Sequence, residues 1–134
     1  MSCIFCRIIS GEIPAKKLYE DDEFIVILDA FPSSVGHSLV IPKSHVDDIL
    51  EMDEVLAGRA FSLAAKLAKK VKAELSCDGV NILQNNREAA GQTVSHFHVH
   101  VIPRYAGDNV TVKWGTVTAD AEKAEEVRAK LAWR

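Results

Sequence analysis

The residues best equipped for chemistry are three histidines at every second position, His96, His98 and His100. The run reads His96-Phe97-His98-Val99-His100-Val101-Ile102, and every spacer is apolar. Strict alternation predicts a β-strand with one face buried. Successive strand side chains point to opposite faces, so the imidazoles share one face, roughly 7 Å apart. Phe97, Val99 and Val101 then face a core. A helix would put residues two apart on different sides. Pro103 is expected to end the strand, because it has no N–H to give a ladder. Two chemistries suit such a row. Neutral imidazole binds metals, but ligands spaced along one strand cannot all reach a single ion at about 2 Å. Alternatively, one imidazole attacks phosphorus or an acyl carbon while its neighbours orient it and stabilise charge. With an ordinary pKa of about 6.5, imidazole is largely neutral and nucleophilic at neutral pH without a separate base.

A second constellation is Cys3 and Cys6. A lone C-x-x-C pair can be redox-active, metal-binding or incidental, and nothing around it resembles a thioredoxin-type unit. Two thiolates joined by two imidazoles would make a tetrahedral zinc site.

These groups need elements to hold them. Residues 3–9 form a short helical turn, with Ile4, Phe5 and Ile8 on one face, stopped by Gly11 and Pro14. A short strand is expected over 17–19, then an acidic turn at Glu20-Asp21-Asp22. Residues 23–28 are nearly all apolar and read as a strand covered on both sides. A Pro- and Ser-containing loop over 29–34 leads to a strand from His37 to Ile41, closed by Pro42. Asp53 is the N-cap of a long helix reaching about Leu75. Leu56, Ala60, Leu63, Ala64, Leu67, Val71 and Leu75 form its buried face. Gly79 is the expected left-handed residue after it. A strand over 80–84 and a loop over 85–93 precede the histidine strand. A last helix spans Ala119 to about Trp133. The expected fold is α+β: an antiparallel sheet of about five strands with one long helix packed on it, plus short N-terminal and C-terminal helices. It forms one domain over residues 1–134, with the motifs in 3–105 and a C-terminal extension over 106–134.

The chain of 134 residues is long enough for a core, and 48% hydrophobic with 26% charged is ordinary for a globular domain. A net charge of −3 leaves no footprint for nucleic acid or an anionic membrane. No apolar run has membrane-spanning length. Met1-Ser2-Cys3 opens neither a basic region nor a signal-type apolar core. Three cysteines, an odd number, fit a reducing compartment better than a disulfide framework. The expected location is cytoplasmic, and Cys77 reads as a free thiol near a helix end.

The pattern His-φ-His-φ-His-φ-φ, with φ apolar, resembles the motif of the histidine triad (HIT) superfamily. Further stretches are similar to its Hint branch of small purine-nucleotide hydrolases: Cys3-Ile4-Phe5-Cys6, Gly11-Glu12-Ile13-Pro14, Tyr19-Glu20-Asp21-Asp22, Leu28-Asp29, Gly36-His37-Ser38-Leu39-Val40-Ile41-Pro42-Lys43-Ser44-His45, Asn85-Asn86 and Ala90-Gly91-Gln92-Thr93-Val94. The resemblance covers residues 3–105. It implies that His98 attacks the α-phosphorus of a nucleoside phosphoramidate or related nucleotide. A nucleotidyl-histidine forms, and water then releases the nucleoside monophosphate. His100 would bond the phosphate oxygens, and His37 is the matching fourth histidine. Gly91 would admit the ligand to the backbone, and the Gln92 amide and Thr93 hydroxyl would donate to phosphate. Asn85 would lie near the α-phosphate and 5′ oxygen, and Asp29 would accept from the ribose hydroxyls. Ile4, Phe5, Ile8, Ile27 and Ala30 would wall the base.

The resemblance further implies zinc on Cys3, Cys6, His45 and His96, and a homodimer with the long helices at its interface. The two sheets would join into one. Three positions depart from the family's pattern. Ala30 replaces a larger aliphatic, Arg87 a glycine and Thr93 a serine; an arginine at 87 could also contact phosphate. Competing readings are a diadenosine polyphosphate hydrolase of the Fhit branch, a nucleotide-binding adaptor with little turnover, and a zinc-dependent interaction module. Trp114 and Trp133 are candidates for the site or the dimer interface.

Overall fold

The computed structural model describes residues 3–133; Met1 and Ser2, which begin the segment read for a targeting signal, and Arg134 lie outside the described residues. Its architecture follows from strands that bury both faces. β2 (Phe24–Leu28) is buried at its first four positions, and β3 (Ser38–Pro42) along its whole length. Phe24, Val26 and Val40 join one hydrophobic cluster, while Ile25, Ile27, Leu39 and Ile41 join another on the opposite face. The sheet is completed by β1 (Lys17–Glu20), β4 (Gly79–Leu83) and β5 (Val99–Arg104). The strand order is β1-β2-β3-β5-β4, antiparallel throughout. This is the expected α+β fold, with β5 an interior strand between β3 and β4.

One face carries α2 (Glu54–Leu75), the other α1 (Ile4–Ile9). Asp53 caps α2 as expected, its Oδ1 accepting from the Val55 and Leu56 N–H groups at 2.9 and 3.1 Å. Ala57, Ala60, Ala64 and Val71 are its buried positions, and small alanines let the helix approach the sheet closely. Leu56, Leu63 and Leu67 pack at the margin, while Leu75 is exposed, unlike the expected stripe. Ser76, at φ +53°, takes the left-handed position expected of Gly79, which instead opens β4. Three single helical turns or short helices complete the chain: Ile49–Glu51, Glu88–Ala90 and α3 (Ala121–Leu131), the last exposed throughout. No described helix is long and apolar enough to cross a membrane.

Two expectations for the histidine strand need correction. The ladder begins at Val99, opposite Val40, so His96–His98 precede it. There the chain is diverted: Phe97 N–H donates to the Val46 carbonyl and His96 Nε2 to the Pro42 carbonyl. Nor does Pro103 end the strand, which continues to Arg104. β3 begins at Ser38, opposite Val101, so it has no residue facing Pro103. The Pro103 carbonyl on that side accepts from Ser34 Oγ at 2.6 Å. Its missing N–H therefore costs no ladder bond.

Candidate active site and metal centre

Alternation along β5 and the residues leading into it separates two jobs. Phe97, Val99 and Val101 are wholly buried against α2. His98, under α1, and His100 emerge on the opposite face, with ring centroids 4.9 Å apart and tilted rather than stacked in a row. Phe5 of α1 sets its ring edge-on to His98 at 5.0 Å and to His96 at 5.8 Å.

Hydrogen bonds fix the proton on each ring. His98 Nδ1 lies 2.7 Å from the His96 carbonyl oxygen, which can only accept. His98 therefore carries its proton on Nδ1, leaving a lone pair on Nε2. Nε2 has no hydrogen-bond partner among the described residues and is not sealed from solvent. His37 works the other way. Its Nδ1 accepts from the Ser33 N–H at 2.9 Å, so its proton sits on Nε2. Nε2–H faces His100 Nδ1 at 2.9 Å and Asp29 Oδ2 at 3.4 Å. His100 Nδ1 is thereby an acceptor, and its own proton is on Nε2. Two neighbouring rings thus present opposite groups: a lone pair on His98 and an N–H on His100.

Burial keeps these rings neutral. It pushes His98 below the ordinary imidazole value, against the opposing pull of the His96 carbonyl and Asp29. His100 falls to about 4, through burial first and then through His98 and His37. His37 is also lowered by burial, with Asp29 resisting.

The loop beside the rings is braced from within. Gly91, at φ +94°, closes the turn Glu88–Ala90, and its carbonyl accepts from Asn85 Nδ2 at 3.4 Å. Gln92, expected to offer its amide to phosphate, spends it on the loop. Its Oε1 accepts from the Arg87 N–H at 2.6 Å, and its Nε2 donates to the Asp47 and Val94 carbonyls. Arg87 turns away toward Asp48, Nε to Oδ2 at 2.9 Å. Asn85, Gly91, Thr93, His37 and His100 line one cavity of about 530 Å³. Asp29 divides its carboxylate: Oδ1 accepts from the Phe31 N–H at 2.9 Å and Oδ2 faces His37. Phe5, Ile8 and Ile27 share one cluster, whereas Ile4 and Ala30 stand exposed outside it.

Cys3, Cys6, His45 and His96 converge, their ligand atoms all within 4.8 Å of one another. Cys3 Sγ is 3.4 Å from His96 Nδ1, and Cys6 Sγ is 3.3 Å from His45 Nδ1. The two Nδ1 atoms are 3.1 Å apart. Tetrahedral zinc sets N–N edges of roughly 3.3 Å and S–N edges of roughly 3.6 Å. The outer atoms fit as well. His96 Nε2 donates to the Pro42 carbonyl at 2.8 Å, and His45 Nε2 to Asp47 Oδ1 at 2.8 Å. Both bonds hold the proton on Nε2 and turn an Nδ1 lone pair inward. Cys3 is also the N-cap of α1, its Sγ accepting from the Cys6 N–H.

Asp29, His37 and His100 also fall within metal-ligand distance of one another. Their second shell disagrees. A metal on His37 Nε2 would force its proton onto Nδ1, against the Ser33 N–H. This trio is a hydrogen-bond relay. Sequence reasoning did not find its Ser33 N–H, nor the His96 carbonyl, since backbone groups leave no trace in residue type. Asp47 was also missed, although the spacing His45-x-Asp47 was there to suggest a second shell.

Comparison with known proteins agrees with this geometry. A HIT domain model matches residues 10–107. Protein hit of Bacillus subtilis is 43% identical over 95% of this chain and 88% of its own length. Adenylylsulfatase HINT3 of Arabidopsis thaliana is 42% identical over 79% of this chain and 54% of its own. A Zn-bound histidine triad family protein from Mycobacterium smegmatis, known from its crystal structure, is 39% identical. The match covers 96% of this chain and 92% of that one, with a TM-score of 0.79. Carrying the triad, the sheet order and the Cys/His cluster together, this chain belongs to the HIT family.

Proposed function

We propose that the protein hydrolyses purine nucleoside phosphoramidates through a nucleotidyl intermediate on His98. The observation that carries the reading is the opposed tautomers of His98 and His100. His98 Nε2 attacks the α-phosphorus and the P–N bond breaks. The amine leaves with the electron pair and takes a proton from solvent. Water then attacks phosphorus, the bond to Nε2 breaks, and the proton taken up earlier is returned. His98 Nδ1–H stays on the His96 carbonyl throughout, which stabilises the imidazolium character of the intermediate. His100 Nε2–H meets the phosphate oxygens, where neutral donors act without attracting a competing anion. Asn85 and Thr93 add donors from the loop. Gly91 lets the backbone come close, and Gln92 holds that loop in shape. Asp29 meets the ribose. Phe5, Ile8 and Ile27 provide the base wall, with Ile4 and Ala30 at its rim.

Zinc, when bound by Cys3, Cys6, His45 and His96, supplies a cross-link of fold rather than chemistry. All four donors would be protein groups, with no open position for substrate. The reading includes a cytoplasmic homodimer. Rapid-quench mass spectrometry with an adenosine phosphoramidate tests it. One nucleoside monophosphate adduct is expected on the peptide holding His98, absent in His98→Ala. Turnover in His98→Ala equal to wild type, with no adduct, sinks the reading in favour of a binding adaptor.

A further inference from the structure

Asp48 is a buried carboxylate to which the proposed reaction gives no task. It belongs to a segment, residues 46–49, that bonds residue by residue to the stretch running from the phosphate loop into the histidine strand. The Val46 carbonyl accepts from the Phe97 N–H at 2.7 Å. The Asp47 carbonyl accepts from Gln92 Nε2 at 2.6 Å. Asp48 Oδ2 meets Arg87 Nε at 2.9 Å. The Ile49 N–H donates to Asn86 Oδ1 at 2.8 Å. The partners fall in reverse order, so the two stretches lie antiparallel. All but the first of these bonds use a side chain, so this is a strap and not a sheet ladder.

The two ends of the strap reach different sites. At one end His45 belongs to the Cys/His cluster, and Asp47 Oδ1 accepts from its Nε2 at 2.8 Å. At the other end Asn86 follows Asn85, which lines the cavity with Gly91, Thr93 and His100. Asn86 is itself fixed by a reciprocal amide pair with Gln84, at 2.7 and 2.8 Å. Asp47 serves both ends. Its carboxylate orients a metal-ligating ring while its carbonyl holds Gln92, whose Oε1 in turn accepts from the Arg87 N–H. A metal that fixes His45 therefore also orders the loop that receives phosphate. Whatever ordering one ligand has already imposed need not be repeated for the other, and such linkage is reciprocal.

A second route from the cluster runs through α1, whose Phe5 belongs to the proposed base wall. That route acts on the base and is felt by a nucleoside as much as by a nucleotide. The strap acts on phosphate alone.

We propose that the 46–49 strap links the two sites, so that zinc on the Cys/His cluster and a phosphate on the loop each tighten binding of the other, with Asp48 and Gln92 as positioning residues. This rests on the nucleotide-site reading above.

The test measures zinc affinity by competition with a chromophoric chelator, first alone, then with AMP and with adenosine. Each is dosed at ten times its own Kd for the zinc-loaded protein. Linkage of about tenfold, within the usual range for coupled sites, gives about a fivefold gain in zinc affinity with AMP at this dose. Adenosine should give less than about twofold. A ligand that merely favours the folded chain raises zinc affinity equally at matched dose, so equal gains from AMP and adenosine overturn the proposal. Gln92→Met keeps length and charge but removes the donor to the Asp47 carbonyl. Asp48→Asn breaks the tie to Arg87 while its amide oxygen can still cap the Leu50 N–H. Both variants should bind zinc and AMP, with the AMP gain reduced below about twofold. A full gain in both also overturns the proposal, and the wild-type comparison decides even where a variant fails to fold. Zinc-loaded wild type that binds no AMP overturns the nucleotide-site reading, and the linkage falls with it.

Discussion

The imidazole of His98 is hydrogen-bonded through Nδ1 to the main-chain carbonyl of His96, 2.7 Å away, while the side chain of His96 faces the thiols of Cys3 and Cys6. One residue therefore joins the metal cluster and the reacting ring. The first prediction follows from the direction of that bond. Nitrogen-15 NMR of the zinc-loaded protein at neutral pH should show His98 protonated on Nδ1 and bare on Nε2. His100 should show the reverse tautomer. The same tautomer on both rings would remove the basis for the division of labour.

The pH dependence has a definite sign. Burial lowers His98 below the ordinary imidazole value, so its lone pair survives at pH values where a free imidazole is half protonated. The acid limb of kcat/KM should therefore lie below pH ~6.5. His100 acts on stability. Its folded pKa of about 4 is depressed from 6.5, so between these values the unfolded chain binds more protons. Its contribution is present above pH 6.5 and is lost as pH falls through 4. Urea unfolding at pH 7 and pH 4.5 measures it, and a His100→Gln variant should show a shallower slope. An equal slope in both proteins would assign the acid sensitivity elsewhere.

Much of this arrangement was legible in the chain because side-chain period reports burial directly. Val99 and Val101 against α2, and His98 and His100 on the other face, follow from alternation alone. Asp53 could be read as a cap because an oxygen before a helical stripe has one evident use. The errors lie where tertiary contacts overrule local rules. Pro103 stays in its strand because β3 has no residue opposite it, a fact about the neighbour and not about proline. Ser76 takes the left-handed position despite having a side chain, three residues before the glycine suited to it. Gln92 looked free to donate, but Asp47 lies forty-five residues away in sequence and 2.6 Å away in space. The tail at 109–112 carried no pattern, since its position depends on the Arg104–Asp108 pair.

The Cys/His cluster predicts one zinc per chain by elemental analysis. Replacing both thiols, Cys3→Ser with Cys6→Ser, should abolish it. The variant should lose about 3 kcal/mol of stability when free zinc exceeds its dissociation constant about a hundredfold. Chelation of wild type should produce a similar loss, and the double variant should not respond to the chelator. A chelator effect of equal size on both proteins would place the metal at another site.

Arg87 offers the last prediction, because its backbone and side chain pull in opposite directions. It sits at φ +75°, ψ 160°, a region that suits glycine and strains any residue with a Cβ. The conformation persists because contacts surround it: its N–H donates to Gln92 Oε1, its carbonyl accepts from the Ala90 and Gln92 N–H groups, and its guanidinium meets the buried carboxylate of Asp48. Arg87→Ala removes the ion pair and keeps the strain, leaving the Asp48 carboxylate, among the described residues, with the Leu50 N–H alone. That should cost about 1–3 kcal/mol. Arg87→Gly removes the same ion pair but relieves the backbone, so it should be more stable than the alanine variant by about 1 kcal/mol. Ordinary helix or strand positions give the opposite order, alanine above glycine. Urea midpoints of the two variants decide it. Alanine equal to or above glycine would mean that the loop relaxes out of the positive-φ conformation once the arginine is gone.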